Sequence, residues 1–270
     1  MLEASLPAPR LDWAFFLDVD GTLIEIAATP ESVRVDAGLT AMLAALFEKT
    51  GNAVALLSGR RIADLDRLFW PLRLPAAGIH GLERRRADGA VERAETASLD
   101  ALRAPLAEFA ERHPQVLVED KGPAIALHYR NAPEAAAAAH ALAGTLVGTS
   151  SSGIAVVPGK MVLEFRPLAA AGRHIDKGTA LACFMAEAPF RSRRPFFAGD
   201  DVTDEDGFRV VRRLGGIALR VGDGLRLAGG QCSAAAFVLP SVAALRTWLA
   251  GALESPGTCA RGERRGDPAR

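Results

Sequence analysis

The stretch Trp13-Ala14-Phe15-Phe16-Leu17-Asp18-Val19-Asp20-Gly21-Thr22-Leu23 runs from apolar residues directly into two aspartates and a glycine. A short apolar run that ends in acids and glycine predicts a buried parallel strand followed by a turn. Ligands of open α/β sheets bind beyond the carboxyl ends of such strands. Two carboxylates placed there repel each other unless a cation or a proton separates them. The stretch therefore predicts a hard-cation site beside a nucleophilic carboxylate.

Two other interpretations of this stretch were weighed. A plain Asp-Gly turn carrying a solvated acid pair explains the same residues without any bound ion. An EF-hand loop also opens with Asp-x-Asp, but it requires glycine at its sixth position and glutamate at its twelfth. Those positions hold Leu23 and Thr29, so the EF-hand is excluded.

Strand-like apolar runs alternate with helical patterns through much of the chain, which predicts an α/β fold with a Rossmann-like parallel sheet. The predicted strands are 15–17, 54–57, 76–79, 195–198, 217–221 and 236–239. The predicted helices between them are 37–49, 63–69, 179–186, 204–214 and 242–250. Right-handed crossovers would bring the carboxyl ends of the strands to one edge.

The middle of the chain breaks this alternation. A helical pattern over 99–113 precedes a strand pair at 115–119 and 124–130, and an alanine-rich helix over 132–147 precedes a second pair at 154–157 and 161–166. This order predicts an α+β module inserted into the core. The predicted organisation is a first core segment (1–102), the insert (103–169), a second core segment (170–252) and a disordered tail (253–270) rich in glycine, proline and charge.

Composition limits the functional classes. The chain has 270 residues, of which 49% are hydrophobic, and its formal net charge is zero, so a nucleic-acid partner is not expected. No apolar stretch without charge reaches the roughly 18 residues of a membrane helix, and residues 1–10 do not resemble a signal peptide. The three cysteines are far apart, which favours a reducing compartment over a disulfide framework. We expect a cytoplasmic monomer that acts on a small molecule.

Further signals fall at predicted strand ends and helix starts. Ser58-Gly59-Arg60 follows the second strand, where a hydroxyl and main-chain amides can bind a phosphate, although an N-cap serine explains it equally. Asp176-Lys177-Gly178-Thr179 opens a helix, where the lysine can hold a phosphate or form a surface pair. The apolar run Phe196-Phe197-Ala198 delivers Gly199-Asp200-Asp201-Val202-Thr203-Asp204, an acid cluster that favours a counter-ion over a bare loop.

In their order along the chain, these motifs resemble those of the haloacid dehalogenase superfamily of phosphohydrolases. The resemblance implies that Asp18 attacks phosphorus and forms an aspartyl-phosphate, and that Asp20 protonates the leaving group and then activates water. Ser58 and Lys177 are implied to bind the phosphoryl oxygens, and Gly59 and Arg60 are implied to bind the substrate.

The same resemblance implies a magnesium cofactor. Mg²⁺ would be held by the Asp18 carboxylate, the Asp20 main-chain carbonyl and Asp200, with waters completing the octahedron. Asp201 and Asp204 would support that arrangement.

The position of the insert and several segments resemble trehalose-6-phosphate phosphatases within this superfamily. The segments are Gly78-Ile79-His80-Gly81, Glu119-Asp120-Lys121-Gly122, His128-Tyr129-Arg130 and Gly159-Lys160-Met161-Val162-Leu163-Glu164-Phe165-Arg166-Pro167. The insert is then implied to be a cap that selects trehalose 6-phosphate. The sugar-binding candidates are Lys121, His128, Arg130, Lys160 and Glu164, with His80 near the cleft between cap and core. Each also has a structural interpretation, and Tyr129 is assigned to packing because it points to the opposite face of its strand.

Other functions stay open at this point. Phosphatases for sucrose phosphate or mannosyl-phosphoglycerate share the core motifs and a similar cap. A non-catalytic sugar-phosphate sensor is disfavoured because Asp18, Asp20, Lys177 and Asp200 are all present. A P-loop nucleotide site is excluded because the chain lacks Gly-x₄-Gly-Lys-[Ser/Thr].

Overall fold

The structure is a computed structural model that describes residues 5–27, 33–149, 153–168, 175–227 and 230–254. The first core segment contains β1 (Trp13–Leu17), α1 (Ala37–Lys49), β2 (Val54–Leu57), α2 (Ile62–Leu68), β3 (Ala76–Gly78), β4 (Glu83–Arg85) and β5 (Val91–Arg93). The insert contains α3 (Asp100–Arg112), β6 (Leu117–Asp120), β7 (Ile125–His128), α4 (Ala136–Thr149), β8 (Ile154–Gly159) and β9 (Val162–Pro167). The second core segment contains α5 (Lys177–Met185), β10 (Arg194–Gly199), α6 (Glu205–Arg213), β11 (Ile217–Val221), β12 (Phe237–Leu239) and α7 (Val242–Glu254).

The described core strands form an eight-stranded sheet in the order β12-β11-β10-β1-β2-β3-β4-β5. The strands from β12 to β3 are parallel, which confirms the predicted α/β class. β1 lies between β10 and β2, and Leu17 is in register with both Ala198 and Leu56. Because neighbouring parallel strands end at the same edge, the residues that follow β1, β2 and β10 lie close together.

The apolar run of β1 is buried on both faces of the sheet, as its lack of alternation predicts. Phe15 and Leu17 pack in one cluster with the helices α1 and α7, whereas Ala14 and Phe16 pack in another with α5 and α6. The ring of Phe15 lies 5.5 Å from that of Phe196, and the ring of Phe16 lies 5.3 Å from that of Phe190. This packing on both faces fixes the strand whose end carries Asp18.

The insert has its own sheet and its own apolar core. Its four described strands are antiparallel in the order β6-β7-β9-β8, and α3 and α4 supply the other half of the buried cluster. α3 already begins at Asp100, and Leu102 belongs to this cluster, so the predicted start of the insert at 103 lies inside a helix. The predicted α+β character of the insert is confirmed.

The hairpin β4–β5 was absent from the sequence expectations. These strands consist mainly of charged residues, and β5 is exposed along its length, so no apolar pattern marks them. They are held by ion pairs such as Arg84 to Glu92, at 2.6 Å. The helix α7 continues to Glu254, so residues 253 and 254 of the expected tail are helical, and residues 255–270 lie outside the described part. No helix in the described ranges has both the length and the apolar character needed to cross a bilayer.

Candidate active site

Three aspartates converge where the central strands of the core end. Asp18 follows β1 and Asp200 follows β10, while Asp204 reaches back from the turn that starts α6. One carboxylate oxygen of each lies within 4.8 Å of the others, and all three residues are buried. The structure therefore brings together Asp18 and Asp200, two of the residues that the sequence hypothesis assigns to the cation, with Asp204 beside them.

Lys177 is the cation within this cluster. Asp176 caps α5, and its carboxylate accepts a hydrogen bond from the Thr179 amide at 2.7 Å, so the helix begins with Lys177. The ammonium of Lys177 donates to Oδ1 of Asp18 and to Oδ1 of Asp204, both at 2.6 Å. Burial alone would lower the pKa of Lys177, but the two carboxylates outweigh burial and raise it. The lysine is therefore charged and held in place.

Both carboxylate oxygens of Asp204 are engaged within the protein. Oδ1 accepts from Lys177, and Oδ2 accepts from the main-chain amides of Asp200 at 3.0 Å and Asp201 at 2.9 Å. These bonds fix the loop that carries Asp200. The family resemblance implies a supporting role for Asp204, and these bonds to the loop are consistent with that expectation.

Three carboxyl groups share a single buried ammonium in this cluster. Burial raises the pKa of Asp18 well above its usual range, and burial together with Asp204 raises the pKa of Asp200 to about 6. The ammonium of Lys160, which belongs to the cap and is half-exposed, also contacts Asp200. Buried carboxylates whose ionised form is disfavoured gain most from a cation.

The donors at this position fit a hard divalent cation. Carboxylate oxygens of Asp18 and Asp200 converge, and such oxygens are the ligands that Mg²⁺ prefers. The carboxylate of Asp20 pairs with Arg60 instead of joining this cluster. Asp201 lies beside Asp200 and lines the same cavity.

Asp20 forms a bidentate ion pair with Arg60. Nε of Arg60 donates to Oδ2 of Asp20 at 2.7 Å, and a terminal nitrogen donates to Oδ1 at 2.6 Å. Ser58 is buried, and its hydroxyl oxygen accepts from the Arg60 amide at 3.1 Å. The loop after β2 therefore holds Asp20, the predicted acid–base residue, through Arg60. The hydroxyl of Ser58 accepts a hydrogen bond from within the same loop.

A cavity of about 610 Å³ lies between the core and the cap. Twelve of the predicted site residues line it: Asp18, Asp20, Gly59, Arg60, His80, Lys121, His128, Arg130, Lys160, Lys177, Asp200 and Asp201. Ser58, Glu164 and Asp204 are not among the described residues that line it. The cavity has an acidic floor in the core and a roof that the cap supplies.

The cap presents several polar side chains to this cavity. Nε2 of His128 lies 3.0 Å from a carboxylate oxygen of Glu119. Arg130 donates to the main-chain oxygens of Ala27 in the core at 2.9 Å and Lys160 at 3.2 Å. Tyr129 is buried in the cap core, as its position on the opposite face of the strand predicts.

Glu164 lies beneath the cavity, in the junction between cap and core. It is 5% exposed, and its carboxylate contacts Lys121, His80 and Arg166. Although burial acts in the opposite direction, these neighbours hold the pKa of Glu164 well below its usual range. A sugar-binding contact of Glu164 is therefore not visible in this conformation.

Other cavity residues were not among the sequence candidates. Glu119, Asn131 and Thr203 line the cavity with polar groups, and apolar residues such as Leu117 and Ile26 line its wall. The signal for Glu119 was available, because it precedes Asp120-Lys121 and shares a hairpin with His128. Asn131 and Thr203 carry no comparable local signal.

Comparisons with known proteins agree with this geometry. The family model for trehalose-phosphatase matches residues 16–224. A probable trehalose-phosphate phosphatase of Sinorhizobium fredii is 43% identical over 240 residues, covering 88% of this chain and 87% of that protein. The trehalose-6-phosphate phosphatase of Escherichia coli is 40% identical over 238 residues, covering 85% of this chain and 87% of that protein.

Solved structures support the fold. The C-terminal domain of the Candida albicans trehalose-6-phosphate phosphatase matches with a TM-score of 0.75 at 20% identity, covering 87% of this chain and 89% of that one. Such neighbours support the predicted fold, an α/β core with an inserted α+β domain. From the family match and the identity with these relatives, the chain belongs to the trehalose-phosphatase family, and it is a phosphoric monoester hydrolase.

Proposed function

We propose that the protein hydrolyses trehalose 6-phosphate to trehalose and phosphate in a Mg²⁺-dependent reaction with an aspartyl-phosphate intermediate. The observation that carries the proposal is the position of Asp18, whose carboxylate lies at the floor of the cavity, 2.6 Å from Lys177 and beside Asp200. The names of the relatives from S. fredii and E. coli support the same substrate.

The first step would be attack of an Asp18 carboxylate oxygen on phosphorus. The bond from Asp18 to phosphorus forms while the ester bond to the sugar breaks, and the sugar oxygen takes a proton from Asp20. In the described conformation both carboxylate oxygens of Asp20 accept hydrogen bonds from Arg60, so the bond to one oxygen must be released for Asp20 to carry the proton, while the other bond keeps the side chain oriented.

The second step would release the phosphate. Asp20, now ionised, accepts a proton from water, and the resulting oxygen attacks phosphorus. The bond to Asp18 breaks, phosphate leaves and the carboxylate of Asp18 is regenerated. Dividing a very slow hydrolysis into two displacements lowers each barrier.

In this proposal a divalent cation is held by the carboxylates of Asp18 and Asp200, which converge beside Asp204, and by the main-chain carbonyl of Asp20. When bound, this cation supplies positive charge that offsets the repulsion between an anionic nucleophile and a phosphate dianion. Lys177 adds a second fixed positive charge at the same place, because Asp18 and Asp204 hold its ammonium. Asp204 maintains the loop of Asp200 through two main-chain amides.

The cap would select the sugar. A disaccharide offers many hydroxyl groups, and the roof of the cavity presents Lys121, His128, Arg130, Lys160 and Glu119. These side chains offer charged donors and a charged acceptor, which form strong hydrogen bonds with hydroxyl groups. The volume of about 610 Å³ is in the range of cavities that enclose small-molecule ligands.

The direct test is phosphate release from trehalose 6-phosphate with Mg²⁺, with EDTA, and with EDTA followed by excess Mg²⁺. We expect turnover only when Mg²⁺ is present. A panel containing sucrose phosphate, mannosyl-phosphoglycerate and glucose 6-phosphate tests the substrate, and a preference for any of these would overturn the assignment to trehalose. Binding of the sugar phosphate without turnover would instead identify a sensor.

The cytoplasmic location, the monomeric state and the lack of a nucleic-acid partner stay predictions from composition.

A further inference from the structure

Four residues form a closed ring of contacts where the cap meets the core. Nε2 of His80 lies 2.9 Å from Oε2 of Glu164, and Oε1 of Glu164 accepts from the ammonium of Lys121 at 2.9 Å. The same ammonium donates to the main-chain oxygen of Gly59 at 2.9 Å. The ring of His80 lies against Gly59, where an added Cβ would come within 2.5 Å of Nε2. Lys121 of the cap therefore contacts the loop after β2 directly, and Glu164 of the cap is joined to it through one core histidine.

The backbone conformation at His80 and at the preceding residue is unusual. Ile79 and His80 have φ values of 48° and 54°, in the left-handed region that residues with a side chain rarely adopt. The amide of Ile79 donates to the oxygen of Arg60 and the amide of His80 to that of Ser58, both at 2.9 Å. Such a conformation persists only where its surroundings determine it, and it concentrates at functional sites.

His80 takes part in this ring of contacts as a neutral hydrogen-bond donor. The residue is 8% exposed, and burial, reinforced by the charge of Arg166, lowers the pKa of its imidazole to about 3. Nδ1 has no hydrogen-bond partner among the described residues, whereas Nε2 faces a carboxylate. We assign the single ring proton to Nε2, from which it is donated to Glu164.

We propose that His80 is a positioning residue for the hydrolysis of the sugar phosphate, because it fixes Glu164, and through Glu164 the ammonium of Lys121, against the loop of Ser58 and Arg60. The inference rests on the proposed function, since it concerns a substrate large enough to reach the cap. An ester that occupies only the core end of the cavity would depend less on this ring of contacts.

Two substitutions separate this role from a backbone role. In His80→Gln the side-chain amide nitrogen can occupy the place of Nε2, but glutamine does not favour the left-handed backbone. In His80→Asn the shorter amide reaches only the place of Nδ1, while asparagine tolerates that backbone well. We expect His80→Gln to retain most of kcat/KM for trehalose 6-phosphate. We expect His80→Asn to lose about tenfold to a hundredfold, the effect of one hydrogen bond to a charged group.

The same variants are assayed with p-nitrophenyl phosphate, a small ester that reports on the core chemistry. We expect the loss in His80→Asn to be several times smaller with this ester, with KM for the sugar phosphate carrying most of the difference. His140→Gln, on an exposed part of α4 in the cap, is the matched control and should behave as wild type. Thermal unfolding of each variant shows whether it is folded.

A double-mutant cycle tests the route through Glu164. If His80 acts by fixing Glu164, then His80→Asn should cost little more in a Glu164→Gln background than Glu164→Gln costs alone. Additive losses, equal losses with both esters, or better retention in His80→Asn than in His80→Gln would each overturn the proposal. Failure of the wild-type protein to hydrolyse trehalose 6-phosphate would overturn the proposed function itself. In that case the cycle is run with the preferred sugar phosphate.

Discussion

Gly21 lies directly against the carboxylate of Asp200, so closely that a methyl group on its Cα would come within 2.2 Å of Oδ2. The backbone at Gly21 is also left-handed, with a φ of 83°. The turn after β1 can therefore reach the acid that follows β10 only because the residue there has no side chain. This contact brings the main chain beside Asp20 to the proposed cation site.

The first prediction concerns this contact. Gly21→Ala should lower kcat/KM for phosphate release by about a hundredfold, because displacement of a reacting group by about 1 Å has an effect of this size. Gly89→Ala is a matched control, since Gly89 has a φ of 88° but no atom within 4 Å of an added Cβ. Both variants share the backbone strain, so equal activity in the two would contradict a role for the contact with Asp200.

The second prediction concerns the buried lysine. Lys177→Met leaves Asp18 and Asp204 without their cation, and loss of one partner of a buried ion pair costs about 3–5 kcal/mol. We expect the free energy of unfolding in EDTA at pH 8 to fall by about this amount, as measured by urea denaturation. Lys49→Met, at an exposed position on α1, should change it by less than about 0.5 kcal/mol. Equal stability of the two variants would show that Lys177 does not compensate the acids.

The floor of the site could be predicted from sequence because its signals are local. An apolar run followed by acids marks both Asp18 and Asp200, and the parallel register of β1 with β10 then places the two side by side. The helix start at Lys177 is equally local, since Asp176 caps it. Strand ends and helix caps depend on a few neighbouring residues, so they can be predicted without knowledge of the rest of the fold.

The roof could not be predicted in the same detail. Which cap side chains face the cavity depends on how the cap docks, and this is decided by contacts between residues far apart in sequence. The sequence predicts that Glu164 binds the sugar, yet in this conformation its carboxylate contacts His80 and Lys121 in the junction between cap and core. Glu119 lines the cavity, although it is not among the sugar-binding candidates from sequence. The charged strands of β4–β5 carried no apolar pattern at all.

The third prediction concerns the nucleophile. Asp18→Asn should lower kcat by at least about 10³-fold, because removal of a nucleophile abolishes the covalent route. It should still bind trehalose 6-phosphate in the presence of Mg²⁺, as measured by calorimetry. Phosphatase activity close to wild type in Asp18→Asn would exclude it as the nucleophile.

Asp200→Asn should instead weaken the binding of Mg²⁺ itself. Wild-type protein should be stabilised by Mg²⁺, because a ligand that binds only the folded state raises the midpoint of thermal unfolding. In Asp200→Asn the Mg²⁺ concentration needed for this shift should rise, since one of the converging carboxylates is lost. An unchanged response to Mg²⁺ would remove Asp200 from the proposed ligand set.

The last prediction concerns pH. The pKa of His80 is lowered from 6.5 to about 3 in the folded protein, so between these values the unfolded chain binds more protons than the folded one. Stability from this residue is therefore present above pH 6.5 and is lost as the pH falls towards 3. Asp200, with its pKa raised from 3.8 to about 6, acts in the opposite direction. A comparison of two proteins that both contain Asp200 cancels that contribution.

We expect the difference in unfolding free energy between wild type and His80→Gln, in EDTA, to shrink by about 2 kcal/mol from pH 7 to pH 5. Glutamine does not titrate, so the change measures the proton that the unfolded histidine takes up and the folded one does not. The difference between wild type and Gly89→Ala, which changes no titratable group, should stay constant over the same range. If the difference for His80→Gln were equally constant, the folded protein would accept a proton on His80. This result would contradict the assignment of His80 as a neutral imidazole that donates a hydrogen bond to Glu164.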